Sequence, residues 1–269
     1  MGDIIAPIAE VDAYFDVYSQ AKYFKSFVRV YLPNTPFPKL KPGLESIDLT
    51  ERFAEPDKSR AESNLERSIR RTKSNIKDIT FCNAFDLFVT ITIALDRQNL
   101  EHSKQKLTSW IKNEKFRKGN FEYLIVPEFH KDQESLHFHG LFKDYKGEVR
   151  QSINSSGRPR LQKGRQVFTL PSFTSGFTNV KKIDNSIGSI AKVSFYLQKY
   201  ITKDMPILFG KNRYRASYGL KRPVVQDNPE PWYKLVQHDR KYEVEEGVIL
   251  EFDAGKSALV DMFLEANQP

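Results

Sequence analysis

The chain has few of the features that mark secreted or membrane proteins. Its 269 residues include a single cysteine, Cys82, which excludes an internal disulfide and is typical of a reducing compartment. There is no run of about 18 apolar residues, so the sequence predicts no membrane-spanning helix. Residues 1–10 contain Asp3 and Pro7 and lack a basic stretch before an apolar core, so we expect no secretory signal there. These absences together favour a cytoplasmic protein.

Positive charge is abundant and is concentrated in one part of the chain. The formal net charge is +8, but residues 149–222 carry a net +13 and residues 223–269 a net −6. A stretch this basic predicts an acidic partner, and nucleic acid is the first candidate. The alternative is a basic face that simply contacts water. The residues that we expect to follow a DNA backbone are Arg158, Arg160, Lys163, Arg165, Lys181, Lys182, Arg213 and Arg215.

The clearest chemical motif is Leu136–Phe142, in which two histidines flank one phenylalanine. The alternation of apolar and polar residues is typical of a β-strand. On a strand, His137 and His139 lie on one face and Phe138 on the other. Two adjacent imidazoles form half of a metal site, because imidazole is the commonest metal ligand in proteins. They can also be ordinary polar residues on an exposed strand.

A carboxylate upstream completes the candidate site. Residues 121–128 also read as a strand, and the polar residues 131–134 are few enough for a hairpin loop. If those four residues form the turn, Glu128 lies directly opposite His137, at about 5 Å on the same face. A shift of one residue would place Glu128 on the other face. His130 and Glu134 are alternative ligands.

A pair of tyrosines downstream has helical spacing. An apolar stripe predicts a helix over residues 189–203; the stripe consists of Ile190, Val193, Leu197 and Ile201. Tyr196 and Tyr200 lie one turn apart beside this stripe. Each is followed three residues later by a lysine, Lys199 or Lys203. Without a chemical role, the two tyrosines would be residues at the edge of the core.

In this order, His137-Phe138-His139 and Tyr196-Leu197-Gln198-Lys199-Tyr200 resemble the two motifs of the HUH endonucleases, specifically the rolling-circle replication initiators of small phages and plasmids. The second tyrosine is similar to the two-tyrosine subclass. Residues 88–92 resemble the first strand motif of that family, and the resemblance spans about residues 65–223. The resemblance implies an α+β fold, with helices packed on a central antiparallel sheet of the ferredoxin or RRM kind.

The same resemblance implies an activity. A divalent ion, Mg²⁺ or Mn²⁺, would be held by Glu128, His137 and His139, although ligand softness alone favours manganese, iron or zinc. Tyr196 would attack single-stranded origin DNA first and Tyr200 second, with Lys199 and Lys203 assisting. The product would be a 5′-phosphotyrosine and a free 3′-hydroxyl that primes replication. Since the chain has no ATPase motif, unwinding would come from a helicase of the bacterial host.

The resemblance also suggests how the chain is divided. We expect an N-terminal helical extension (1–80), in which aromatic residues between 14 and 31 show some helical spacing. An HUH endonuclease domain (81–223) and an acidic C-terminal extension (224–269) would follow. Within the domain, patterns predict helices at 99–116 and 189–203, a polar insertion at 143–165, and strands at 86–95, 121–128, 136–142, 167–170, 177–183 and 214–220.

Other functions share these motifs. One alternative is a transposase or conjugative relaxase of the same superfamily, although relaxases commonly carry the tyrosine before the histidines. Another is a non-catalytic module that binds single-stranded nucleic acid through stacked aromatic rings. The catalytic hypothesis predicts a covalent protein–DNA adduct, whereas the binding module predicts none.

Overall fold

The computed structural model describes residues 14–41, 58–96, 98–130, 135–162, 164–184, 186–210 and 212–269. The alternative ligand Glu134 and the predicted DNA contact Lys163 lie outside these ranges. Within them the fold is α+β, as predicted, with antiparallel sheets and four α-helices. None of these helices is long and apolar enough to cross a membrane.

The described part of the chain begins with four strands, and its four α-helices follow them. The strands are β1 (Tyr14–Val17), β2 (Gln20–Tyr23), β3 (Phe27–Pro33), β4 (Phe37–Leu40), β5 (Leu87–Ile93), β6 (Glu122–Phe129), β7 (Leu136–Lys143), β8 (Arg150–Gln151), β9 (Leu161–Gln162), β10 (Arg165–Gln166), β11 (Phe168–Thr169), β12 (Gly176–Lys182), β13 (Arg215–Ala216), β14 (Val224–Asp227), β15 (Arg240–Val244) and β16 (Gly247–Asp253). The helices are α1 (Lys58–Cys82), α2 (Leu100–Lys118), α3 (Ile187–Lys199) and α4 (Ala258–Ala266).

The chain folds into two compact units, and Ala61–Lys221 forms one of them. Its centre is a seven-stranded antiparallel sheet with the strand order β13-β6-β7-β5-β12-β11-β8. The strand with the two histidines, β7, lies between β6 and β5. The predicted polar insertion at 143–165 contains the short strands β8 and β9, so it is partly ordered by backbone pairing.

Helices pack on both faces of this sheet. On one face, α2 packs on alternate residues of β5 and β7, in a core that includes Val89, Ile91, Leu107, Trp110, Phe138 and Phe142. On the other face, α1 and α3 pack on the intervening residues, in a core that includes Ile76, Ile79, Phe88, Leu124, Leu141 and Leu197. Helices α1 and α3 can cover this face because β5, β6 and β7 also carry apolar residues at some of the positions that face away from α2.

Helix α3 is shorter than predicted. Its N-cap is Ser186, whose side chain accepts a hydrogen bond from the Ser189 backbone N–H. It ends at Lys199, and Tyr200 is the C-cap residue, so the predicted extension to 203 is wrong. The apolar stripe continues past the helix end because Ile201 is still buried in the core, which is why periodicity alone overestimates the helix.

The other unit combines the described part of residues 1–60 with Arg222–Pro269. Its main sheet has the order β14-β2-β3-β16-β15, and its core includes Tyr23, Val28, Val30, Trp232, Phe252 and Val260. The helical spacing expected between residues 14 and 31 is therefore wrong, because this segment is strand wherever it is regular. Strands β14 and β16 come from the far end of the chain, so β1–β4 of the predicted N-terminal extension share one unit with the predicted C-terminal extension. The rest of the predicted N-terminal extension, residues 61–80 of α1, belongs to the other unit.

Candidate metal centre and tyrosine pair

The register of three central strands brings the candidate ligands together. Strand β6 pairs with β7 so that Glu128 lies opposite His137, which is the register that the sequence predicts. Strand β5 pairs with β7 so that Thr90 lies opposite His139. Residues that are directly opposed in an antiparallel pair share a face. Glu128, His137, His139 and Thr90 therefore lie on the same face of the sheet.

Glu128, His137 and His139 form a compact cluster, which we call the Glu-His-His cluster. Each offers one ligand atom, and these atoms all lie within 4.8 Å of one another. His139 is buried, while Glu128 and His137 are partly exposed. Nε2 of His139 lies 2.6 Å from Oε2 of Glu128, and its Nδ1 lies 3.3 Å from Oγ1 of Thr90. The two ring nitrogens of His139 therefore have different partners: Nδ1 faces the Thr90 hydroxyl and Nε2 faces the Glu128 carboxylate.

This donor set fits a divalent ion. Two imidazoles and one carboxylate are common protein ligands, and the partial exposure of two of them leaves room for phosphate or water oxygens. The alternative ligand His130 lies beside the cluster, with its ring centroid 4.7 Å from that of His137.

The two tyrosines both contact His139 but differ in exposure. The ring of Tyr200 stacks on His139 at 4.2 Å with an interplanar angle of 4°, and Tyr200 is only 6% exposed. Tyr196 approaches His139 edge-on, with centroids 5.7 Å apart, and is 42% exposed. The two tyrosine rings are 5.1 Å apart. Of the two hydroxyl-bearing rings, Tyr196 is therefore the accessible one.

The surroundings of Tyr200 oppose its ionisation. Burial is the main reason that the pKa of Tyr200 lies well above its usual value. A hydrogen bond with Tyr196 and the nearby negative charge of Glu128 raise this pKa further.

The two lysines of the motif lie in different places. Nζ of Lys199 is 5.7 Å from the ring centroid of Tyr196 and 5.5 Å from that of Tyr200. Nζ of Lys203 lies 3.2 Å from Oε1 of Glu66 on α1, in an exposed ion pair. Lys199 is thus next to both candidate nucleophiles, whereas Lys203 is engaged by a carboxylate.

Two cavities adjoin the tyrosines. One, of about 220 Å³, is lined by Tyr196 and Phe88 together with three lysines, Lys181, Lys182 and Lys192. The other, of about 250 Å³, is lined by Tyr200, Glu128, Lys199 and Asp204. Thr90, Lys192 and Asp204 are not among the predicted site residues. Thr90 lies within the strand motif at 88–92, but no motif assigns a role to any of the three side chains.

The predicted DNA contacts separate into two groups. Arg158 and Arg160 are exposed on the insertion, and Lys181 and Lys182 line the Tyr196 cavity. The side chain of Arg165 lies outside the part of the structure that is described. The remaining two, Arg213 and Arg215, are hydrogen-bonded to partners within the fold, which charge counts cannot reveal.

Those two arginines are bonded inside the protein. Arg213 is buried and donates to the backbone oxygen of Thr202 at 3.1 Å. Arg215 donates to Oγ1 of Thr108 on α2 at 2.8 Å. Because α2 covers the sheet face opposite the Glu-His-His cluster, Arg215 lies on the far side of the sheet from the site.

The fold and the site define an α+β protein with a candidate metal centre beside two tyrosines. Residues 86–205 match the model of a family described as replication-associated protein ORF2/G2P. This segment is less than half of the chain, but it contains the whole Glu-His-His cluster and both tyrosines. No curated protein and no solved structure matched the chain. The family match supports a Rep-like replication initiator and a role in DNA replication.

Proposed function

We propose that this protein is a metal-dependent, site-specific DNA nickase and strand transferase that initiates rolling-circle replication on single-stranded origin DNA. The proposal rests on one observation: an exposed tyrosine, Tyr196, lies 5.7 Å ring to ring from His139 of the Glu-His-His cluster. The match of residues 86–205 to a replication-associated family supports the biological context.

Glu128, His137 and His139 would hold a divalent ion, Mg²⁺ or Mn²⁺. When bound, such an ion neutralises phosphate charge and polarises the phosphorus as a Lewis acid. The two imidazoles would also accept zinc or iron, so metal binding by itself does not establish activity.

Tyr196 is the residue that we assign as the first nucleophile. Its oxygen bonds to phosphorus as the phosphorus–O3′ bond breaks. The tyrosine gives up its proton, and the leaving oxygen takes one up. The products are a 5′-phosphotyrosine and a free 3′-hydroxyl. Because the phosphotyrosine keeps the energy of the phosphodiester, the reverse reaction joins ends without ATP.

Neighbouring side chains would assist this attack. A tyrosine with an ordinary pKa near 10 is a weak nucleophile at neutral pH. The ring of Tyr200 lies 5.1 Å from that of Tyr196, so its neutral hydroxyl would stabilise negative charge as it develops on the Tyr196 oxygen. The ammonium of Lys199 lies close enough to both rings to stabilise charge on the phosphate or on the tyrosine.

Tyr200 would act second. Its ring is buried against His139, so a second cleavage requires it to leave that stack. Lys203 would become available to it only if the ion pair with Glu66 opened. The DNA would approach along the lysine-lined cavity and the arginines of the insertion. A host helicase would separate the strands in the bacterial cytoplasm.

The experiment that tests the proposal follows the two ends of a cleaved strand. A single strand carrying the origin of the replicon that encodes the protein is labelled at its 5′ or its 3′ end and incubated with protein and Mn²⁺. We expect the 3′-labelled fragment to migrate with the protein on a denaturing gel. The 5′-labelled fragment should be released with a 3′-hydroxyl that a polymerase extends. Binding without any adduct would leave only a nucleic-acid-binding module.

A further inference from the structure

One large aromatic side chain is exposed on the same sheet face as the site. Phe177 is the second residue of β12, and it is 71% exposed. Strand β12 pairs with β5 so that Phe177 lies opposite Thr92, and Thr92 lies opposite His137 on β7. His137 in turn lies opposite Glu128. One row across four neighbouring strands thus joins Phe177 to the Glu-His-His cluster.

This row fixes the distance between the ring and the site. Neighbouring strands are about 4.8 Å apart, so Phe177 lies about 10 Å from His137, two strands away. The backbone before it is held closely: a Cβ at Gly176 would come within 2.0 Å of the Thr92 carbonyl oxygen. A larger residue there would push β12 away from β5, so Gly176 keeps Phe177 in this row.

The neighbours of Phe177 on this face are small and polar. Thr92 faces it across the strand pair, and Asn179 follows it on the same face of β12. Lys181, the next residue on that face, lines the cavity beside Tyr196. The side-chain amide of Asn179 donates to Oε1 of Gln162 at 3.4 Å, which places the β9–β10 hairpin of the basic insertion at this face.

These surroundings distinguish Phe177 from a core residue. Phe88 lies on the same face of β5 but is buried beneath α3 and α1. Phe177 instead presents a bare ring, with short polar groups beside it and a lysine four residues along. These surroundings suit a nucleotide of a single strand. Its base can stack on the phenylalanine ring while its phosphates remain near polar and basic groups.

We propose that Phe177 is a base-stacking residue that holds one nucleotide of the single strand about two strand spacings from the metal cluster. The proposal rests on the proposed function, since it takes single-stranded DNA as the substrate. It adds a defined contact: a base lies on Phe177 while the strand continues toward Tyr196 past Asn179 and Lys181.

A photochemical crosslink tests this contact directly. A thymidine oligonucleotide containing 5-iododeoxyuridine is bound to the full-length Tyr196→Phe/Tyr200→Phe double variant without added metal, so that no cleavage intervenes. After irradiation, mass spectrometry should locate the crosslink on Phe177. The crosslink at that position should disappear in Phe177→Ala and remain in Phe177→Trp. Crosslinks found only at other residues would overturn the proposal.

Affinity measurements give a second readout with a matched control. By fluorescence anisotropy, Phe177→Ala should weaken binding to the same oligonucleotide by about 5-fold or more, while Phe177→Trp should bind as the parent does. Phe116 is 91% exposed on α2, on the opposite side of the sheet, and Phe116→Ala should change affinity by less than about 2-fold. Equal losses in both alanine variants would contradict a specific stack.

The outcome is separable from that of the proposed nicking activity. If the wild-type protein forms a covalent adduct with origin DNA but Phe177 takes no crosslink, the stacking proposal fails and the nickase stands. If Phe177 is crosslinked and no adduct ever forms, the stacking proposal stands and the nickase fails.

Discussion

The two faces of the seven-stranded sheet differ in what covers them. The face beneath α2 is apolar along the length of β5 and β7, and Phe138 and Phe142 are fully buried there. The other face is apolar only where α1 and α3 cover it. Around His137 and Thr92 it carries polar groups and exposed Phe177.

This difference follows from the two-residue period of a strand. In β7, Phe138 enters one layer while its neighbours His137 and His139 enter the other. The apolar residues of β7 that face α2 hold the strand in place. The alternate residues can therefore be polar side chains with a chemical role. Each candidate ligand is therefore anchored by apolar neighbours that lie on the opposite face of its own strand.

The largest effect on stability should come from the apolar face. Phe138→Ala removes a fully buried ring and leaves a cavity, so we expect the free energy of unfolding to fall by about 3–5 kcal/mol. Chemical denaturation followed by circular dichroism measures this. Its control, His137→Ala, changes the adjacent, partly exposed residue and should leave the protein folded. Similar losses of unfolding free energy in both variants would contradict the different roles of the two sheet faces.

The second effect should be on metal binding. His137→Ala removes one of three ligands, so we expect Mn²⁺ affinity to fall at least about 100-fold, roughly 3 kcal/mol. Isothermal titration calorimetry measures the affinity, and the melting temperature without metal should barely move. Unchanged Mn²⁺ affinity would exclude the Glu-His-His cluster as the binding site. His130→Ala shows whether the neighbouring imidazole contributes.

A smaller effect should come from the partner of His139. Thr90→Val keeps the shape of the side chain but removes the hydroxyl that lies 3.3 Å from Nδ1. Hydrogen bonds that orient a metal-bound histidine typically contribute 10- to 100-fold, so we expect a loss of about 10-fold in Mn²⁺ affinity. Thr92→Val, on the same strand and face, is the control and should lose less. Equal behaviour would mean that Thr90 does not position His139.

The smallest effects should come from the insertion. If Arg158 and Arg160 contact phosphates, replacing either with alanine should lower the slope of log affinity against log salt by about 0.7 for a single strand. Arg215→Ala is the comparison, because that guanidinium is bonded to Thr108 on the far side of the sheet. Its salt slope should stay unchanged. A slope that falls only with Arg215 would reverse the assignment of the DNA-binding face.

The arrangement of the candidate site was predictable from sequence because its information is local. Glu128 and His137 are joined by a hairpin, so a short loop and a two-residue period are enough to set their register. Tyr196 and Tyr200 lie on one side of one helix end, and a 3.6-residue period reveals that. Their unequal burial was not predictable, since it depends on the stack against His139.

The features that sequence reasoning missed depend on distant partners. Strands β2 and β3 pair with β14 and β16 from the other end of the chain, and no local pattern indicates this. The sequence shows Arg213 and Arg215 only as basic charge, because it does not reveal their hydrogen-bond partners Thr202 and Thr108. The sequence does not distinguish Phe177 from any other strand residue, because its exposure depends on which part of the sheet the helices leave uncovered.

The measurement that tests the account most directly is covalent adduct formation by the two tyrosine variants. Wild type, Tyr196→Phe, Tyr200→Phe and the double variant are incubated with 3′-labelled origin strand and Mn²⁺, with a chelator as the control. We expect no first-cut adduct from Tyr196→Phe, a retained adduct from Tyr200→Phe, and none with chelator. A full adduct from the double variant, or one that forms without metal, would contradict a nickase built on Tyr196 and the Glu-His-His cluster.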